Sequence, residues 1–232
     1  MLLATLLSLS LYSTLTSALA APLRLPPRPP PQYQLRDAIA PPQTPTIRSV
    51  SFSGNGCPSG GGGEPSVVVT DASFERFSFQ MPSYEAFSRE PQRRSVFCQV
   101  HLSAEGLAPG WQVALRDVWL RGHLAMDRGV TLGNYVTMFF SADAASTVTT
   151  YTTVVAQNGT RLDRDITLHS RIPTASLVWS PCRASGGSGI LNVNDRVSFT
   201  TSANATSTAQ GYFGKPDNGT VTEKLGWVWR RC

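Results

Sequence analysis

Hydrophobic and polar side chains alternate with a period of two in several short runs of this chain. Val96, Cys98, Val100 and Leu102 alternate with Phe97, Gln99, His101 and Ser103, and Trp111, Val113 and Leu115 alternate with Gln112, Ala114 and Arg116. Leu162, Ile166 and Leu168 oppose Asp163, Asp165, Thr167 and His169, while Val193, Val197 and Phe199 oppose Asn194, Arg196 and Ser198. Near the end, Val221, Leu225, Trp227 and Trp229 stand against Thr222, Lys224, Val228 and Arg230. Successive side chains of a strand point to opposite faces, so this spacing predicts strands with one face buried and one wet. Gly, Asn, Asp and Pro separate the runs, as turns require. A 3.6-residue period is almost absent and no internal repeat is visible. About ten strands without intervening helices predict an all-β fold, an antiparallel β-sandwich of jelly-roll-like kind with almost no helix.

The pattern fails at the beginning of the chain, for two different reasons. Residues 1–20 are leucine-rich, carry no charged side chain and end in Ala18-Leu19-Ala20, a small-x-small cleavage pattern, so they read as a signal peptide cut after Ala20. Ser and Thr interrupt the run, which argues against a transmembrane anchor, and no later stretch has the length of a membrane span. Residues 21–47 hold nine of the 17 prolines and read as an extended linker or propeptide. An RxxPxxP pattern at 24–30 matches SH3 ligands, but SH3 domains are cytosolic and this segment is exported. The folded part is then 48–232, a single all-β domain.

Export is supported by two further features. Cys57, Cys98, Cys182 and Cys232 form an even set without a CxxC pair, which suits disulfides better than zinc. Asn158, Asn204 and Asn218 each begin an Asn-x-Thr sequon and are candidate N-glycosylation sites.

Composition narrows the chemistry. Charged residues make up only 15% of the 232, below the ~25% of ordinary soluble domains, which excludes a charged disordered chain and a long coiled coil. The net charge of +5 comes from arginines spread along the chain rather than clustered, so no nucleic-acid partner is expected. The stretch Gly186-Gly187-Ser188-Gly189-Ile190 lacks the last glycine of a nucleophile elbow. Gly60–Gly63 lacks the Lys of a phosphate loop. Asp163, Asp165 and His169 share strand parity; a solvated face countered by Arg161, Arg164 and Arg171 is the expectation, and a divalent-cation site the alternative. Asn192, Asn194 and Asp195 are a second oxygen-rich group, without the regular spacing of a calcium loop. His101 and His123 stand alone in strand-like runs and read as satisfied or surface histidines. Trp227 and Trp229 share a face: a buried sandwich face is the expectation, a carbohydrate platform the alternative.

Short motifs in order also carry a resemblance. Asn55-Gly56-Cys57-Pro58 opens the domain; Arg94 and Cys98 follow in an RxxxC arrangement ahead of Pro109-Gly110-Trp111. Arg121-Gly122 leads to Leu124, Asp127, Gly129 and Val130. Trp179-Ser180-Pro181-Cys182 leads through Ala184-Ser185-Gly186 to Leu191-Asn192-Val193-Asn194, and the chain closes on Trp229 and Cys232. From about Ser51 to Cys232 the sequence resembles the family of small secreted fungal proteins known as domain of unknown function 4360. The resemblance implies secretion, an all-β domain and paired cysteines; it supplies no activity and no catalytic residues. The proline-rich lead, the Gly60–Gly63 run and Gly187 and Gly189 depart from the family's pattern.

Four cysteines allow three pairings. Cys57–Cys98 with Cys182–Cys232 is favoured, because each bridge closes a loop within one half of the chain and the second fastens the last strand; loop length alone does not select it. The expectation for function is a secreted extracellular, cell-surface or wall protein without enzymatic activity and without a cofactor. A cell-wall polysaccharide-binding module is the first alternative, and a glycan-directed hydrolase with an unidentified carboxylate pair is the second.

Overall fold

The computed structural model describes residues 40–58, 67–156, 160–182, 189–216 and 219–232. The expected signal peptide at 1–20, most of the proline-rich lead, the Gly60–Gly63 run, Gly187, Asn158 and Asn218 lie outside the described residues. Twelve strands run in chain order: β1 Thr46–Ser53, β2 Val68–Asp71, β3 Ser78–Met81, β4 Ala86–Phe87, β5 Ser95–Glu105 and β6 Trp111–Met126. They continue as β7 Val130–Phe140, β8 Asp143–Val155, β9 Leu162–Arg171, β10 Gly189–Thr201, β11 Gly211–Gly214 and β12 Val221–Arg231. Three single 3₁₀ turns are the helical segments among the described residues. Five strands form one sheet in the order β1-β5-β10-β7-β8; the other follows β2-β3-β12-β6-β11-β4, with β9 on the far edge of β6. Every pairing is antiparallel. This is the expected two-sheet antiparallel sandwich, with twelve strands rather than about ten.

The alternation read from sequence decides which side of each strand is inside. Along β5 the buried positions are Val96, Cys98, Val100, Leu102 and Ala104. Along β7 the buried side chains are Val130, Leu132, Asn134, Val136, Met138 and Phe140, all of one parity, while Gly133 is covered on the other face. Phe77, Phe79, Phe140, Phe199 and Phe213 are fully buried; each adds about 1.5–3 kcal/mol by leaving water. β6 changes parity partway. Its pairing with β12 skips a residue, since Gly226 faces Asp117 while Trp227 faces Leu115. This bulge at Arg116 moves the inward set from Trp111, Val113 and Leu115 to Val118, Leu120 and Leu124. Among the described residues four inward strand positions are polar against the pattern: Asn134, Ser170, Asp195 and Glu223.

Cys57 is bonded to Cys98 and Cys182 to Cys232, so the pairing is the sequential one. β1 begins at Thr46, two residues before the expected domain boundary at 48.

Candidate functional site

Where the inner positions of the five-stranded sheet pack the core, the outer ones build a surface. Register aligns them in rows. Phe97, Arg196, Tyr135 and Tyr151 stand side by side across β5, β10, β7 and β8, and Gln99, Asn194, Thr137 and Thr149 form the next row. His101, Asn192 and Phe139 form a third. Phe97, Gln99, Tyr135, Thr137, Phe139, Thr149, Asn194 and Arg196 line a shallow groove of about 520 Å³. The tyrosine rings lie 4.5 Å apart at 30°, and the Arg196 guanidinium lies 4.6 Å from the Tyr135 centroid.

Gly133 explains the pose of the two tyrosines. A Cβ there would fall 3.0 Å from a Tyr151 ring carbon and 3.2 Å from one of Tyr135. The missing side chain lets both rings settle onto the backbone, and Tyr151 stays 55% exposed. Apart from Arg196, the polar groups lining the groove beside the rings are amides and hydroxyls. Thr137 and Thr149 share a hydroxyl bond of 2.8 Å, and Asn194 Nδ2 approaches Gln99 Oε1 at 3.5 Å. His101 Nδ1–H donates to Asn192 Oδ1 at 2.6 Å, its Nε2 hydrogen-bonds the Ser53 hydroxyl, and Asn192 Nδ2 donates to Ser141 Oγ. His101 thus has both ring nitrogens hydrogen-bonded. Alternation in the sequence puts Phe97, Gln99, Asn194 and Arg196 on outward positions, while their neighbours on β7 and β8 are assigned only by sheet register. The available signal was the outward aromatic at Phe97 and the outward series Tyr135, Thr137 and Phe139.

The outer face of the other sheet holds the sequence candidates for metal binding, and it divides them. Asp163 and Asp165 do face one way, but their partner is His123 of β6, through Nε2 at 2.9 Å and Nδ1 at 3.1 Å. Arg161 bonds Asp163 and Asp127, each at 3.1 Å. His169 instead hydrogen-bonds Asp117 at 2.8 Å and stacks on Trp119, with ring centroids 5.1 Å apart and planes within 5°. Four residues of strand separate His169 from Asp165, or about 13 Å, too far to share one ion. Among the described residues no group of three His, Cys, Asp or Glu side chains is placed to hold a metal. Asp117 is almost buried, which opposes ionisation; hydrogen bonds from Arg116 and His169 outweigh that and hold its carboxyl below the ordinary value.

The remaining candidates also change. Strand alternation puts Asn192 and Asn194 on the outer face and Asp195 on the inner one, so the oxygen-rich trio does not converge. Trp227 and Trp229 point inward and pack on Phe74, with centroids 4.5 and 5.7 Å away, and the Trp227 indole N–H donates to the Phe74 carbonyl. Their place is the rim of the core rather than an open platform. Asn204 lies exposed in a turn.

Comparison with known proteins returns few relatives. A solved structure of TmCBM61 in complex with beta-1,4-galactotriose overlaps 81% of this chain and 91% of its own at 11% identity, with a TM-score of 0.24, which does not establish a shared fold. An uncharacterized secreted protein of Arthroderma benhamiae is 28% identical over 193 residues, covering 80% of this chain and 71% of the relative. The pattern of residues 43–232 matches one family over nearly the whole described sandwich, and the chain belongs to it: the domain of unknown function DUF4360.

Proposed function

We propose that this is a secreted, non-enzymatic protein that binds a polysaccharide chain on the outer face of its five-stranded sheet. The observation that carries the reading is the pair Tyr135 and Tyr151 laid over Gly133. A ring resting on the sheet offers its outer π face, and the C–H face of a sugar ring packs on such a surface. The next row offers amides and hydroxyls, from Gln99, Asn194, Thr137 and Thr149. These groups both donate and accept, which suits sugar hydroxyls. The groove is open and shallow, as a long chain lying across strands requires. Its lining is aromatic, amide, hydroxyl and guanidinium; glycoside hydrolysis would ask for two carboxylates facing across ~5–10 Å. Secretion is supported by the two disulfides and by the secreted relative.

The test is retention on insoluble chitin and β-glucan, followed by calorimetry with soluble fragments. Wild-type protein is expected to be retained on at least one. The double substitution Tyr135→Ala/Tyr151→Ala should weaken binding at least tenfold without a large change in melting temperature. Trp227→Ala should lower the melting temperature while binding by the folded fraction persists. If wild type passes through both matrices, or the tyrosine double variant binds as well as wild type, the proposal is wrong.

A further inference from the structure

Two carboxylic acids face each other's sheets inside the core. Asp195 stands at an inward position of β10 and is 0% exposed; Glu223 stands at an inward position of β12, in the other sheet, and is 1% exposed. Their strand neighbours are apolar. Asp195 is opposite Cys98 on β5 and Val136 on β7, and Glu223 is opposite Phe79 on β3 and Leu120 on β6. One oxygen of Asp195 accepts from the Asn134 amide, whose own carbonyl oxygen accepts from the Ser170 hydroxyl. Among the described residues Asp195 Oδ2 and both oxygens of Glu223 have no hydrogen-bond partner.

No counter-charge reaches the pair. Among the described residues the buried charged side chains are Asp117, Asp195 and Glu223, and none is a base. Arg196 follows Asp195 but points to the opposite, outer face. The other titratable group facing the pair is Tyr84, between β3 and β4, whose hydroxyl donates to the Asp195 carbonyl at 3.1 Å and the Val96 carbonyl at 3.3 Å. A phenol is neutral across the whole physiological range, and burial raises its value further. Two ionised carboxylates in such a place would be desolvated, unpaired and mutually repelling.

We infer that Asp195 and Glu223 are proton-binding sites built into the core, so that the two sheets close over neutral carboxyl groups and the sandwich is stabilised by acid. Burial, partly offset by the Asn134 hydrogen bond, pushes the Asp195 carboxyl up to about 7. Burial first, then the neighbouring Asp195, pushes Glu223 well above the usual range. In the unfolded chain both acids ionise near ~4. A folded value above the unfolded one means that this stability is complete below about pH 4 and is lost as pH rises through the folded values. Between these limits each retained proton lowers the folding equilibrium constant about tenfold per pH unit. Carboxylates held low in the folded state, such as Asp117 and Asp163, act with the opposite sign and below that window.

The experiment is chemical denaturation of the folded chain at intervals from pH 4.5 to 7.5, with and without EDTA, for wild type, Glu223→Gln and Asp195→Asn. Wild type should lose stability steadily with pH. Glu223→Gln keeps the shape and cannot ionise, so its profile should be shallower and should cross above wild type near neutral pH. His123, raised by Asp163 and Asp165, is common to all three proteins, so the difference between profiles is the readout. A flat wild-type profile, or a Glu223→Gln profile parallel to it, overturns the inference. So does marked destabilisation by EDTA, which would put a cation rather than protons between the acids. If neither variant folds, infrared spectra of wild type decide: a folded protein at pH 6 without the C=O stretch of a protonated carboxyl overturns it as well.

Discussion

His123 has both ring nitrogens against carboxylate oxygens, Asp163 on one side and Asp165 on the other. An acceptor at each nitrogen requires an N–H at each, which is the charged imidazolium. Burial alone would lower the ring's value, but the two carboxylates outweigh it and raise it above the ordinary 6.5. The sign follows: the contribution to stability is complete below about pH 6.5 and fades as pH rises through the folded value. Both aspartates are about half exposed, so solvent screens the effect. Titration followed by imidazole NMR is expected to place His123 above an unfolded reference, and Asp163→Asn/Asp165→Asn should return it to that reference. An unshifted His123 in wild type would refute the clasp. This residue also marks what local sequence can carry. The parity of 163, 165 and 169 puts three groups on one face, and they are on one face. Their partners come from Asp117 and His123, some 40 to 50 residues earlier, and only sheet register assigns them.

Register is a property of elements, and the strands differ in how openly they announce it. β5, β10 and β12 keep one parity from end to end, so alternation names their inner faces from sequence alone. β6 does not, because the bulge at Arg116 exchanges its faces midway. β8 reads as a polar run of Thr and Ala because it is a sheet edge, with only partial burial at Val148 and Val154. That weak signal hid Tyr151, and with it half of the proposed binding face. The bridge between Cys182 and Cys232 acts at the same scale. It joins the segment after Trp179 to the end of β12, where the Cys232 N–H also donates to the Gly110 carbonyl. Closing a separation of 50 residues restricts the unfolded chain by about 4 kcal/mol in the chain-entropy account. The double replacement Cys182→Ser/Cys232→Ser should therefore lower the unfolding free energy by a comparable amount, with hydrogen exchange accelerated first at residues 227–231. Unchanged exchange there would show that the strand end is held by its pairing with β6 alone.

At the scale of the molecule, the question is where the domain starts. Proline density suggested that the extended lead continues through residue 47. The strand nevertheless opens at Thr46, with Thr46 opposite Glu105 and Ile47 opposite Ala104. Proline is compatible with such a place, because an edge strand has no partner on its outer side and its first residues need not donate to a ladder. Pro41 and Pro45 are both buried, and the family match begins at residue 43. Composition therefore reported the absence of periodicity in this stretch correctly, while burial of prolines leaves no periodic trace. The two boundaries differ in a measurable way. A chain lacking residues 1–40 should melt like one lacking only residues 1–20. A chain lacking residues 1–47 loses two paired positions of β1 and the packing of Ile47, and should be less stable by about 1–2 kcal/mol. β1 pairs with β5, whose outward Phe97 and Gln99 line the groove. The longer deletion should thus cost some glycan affinity too, whereas equal stability of the two truncated chains would place the start of the domain at residue 48 after all.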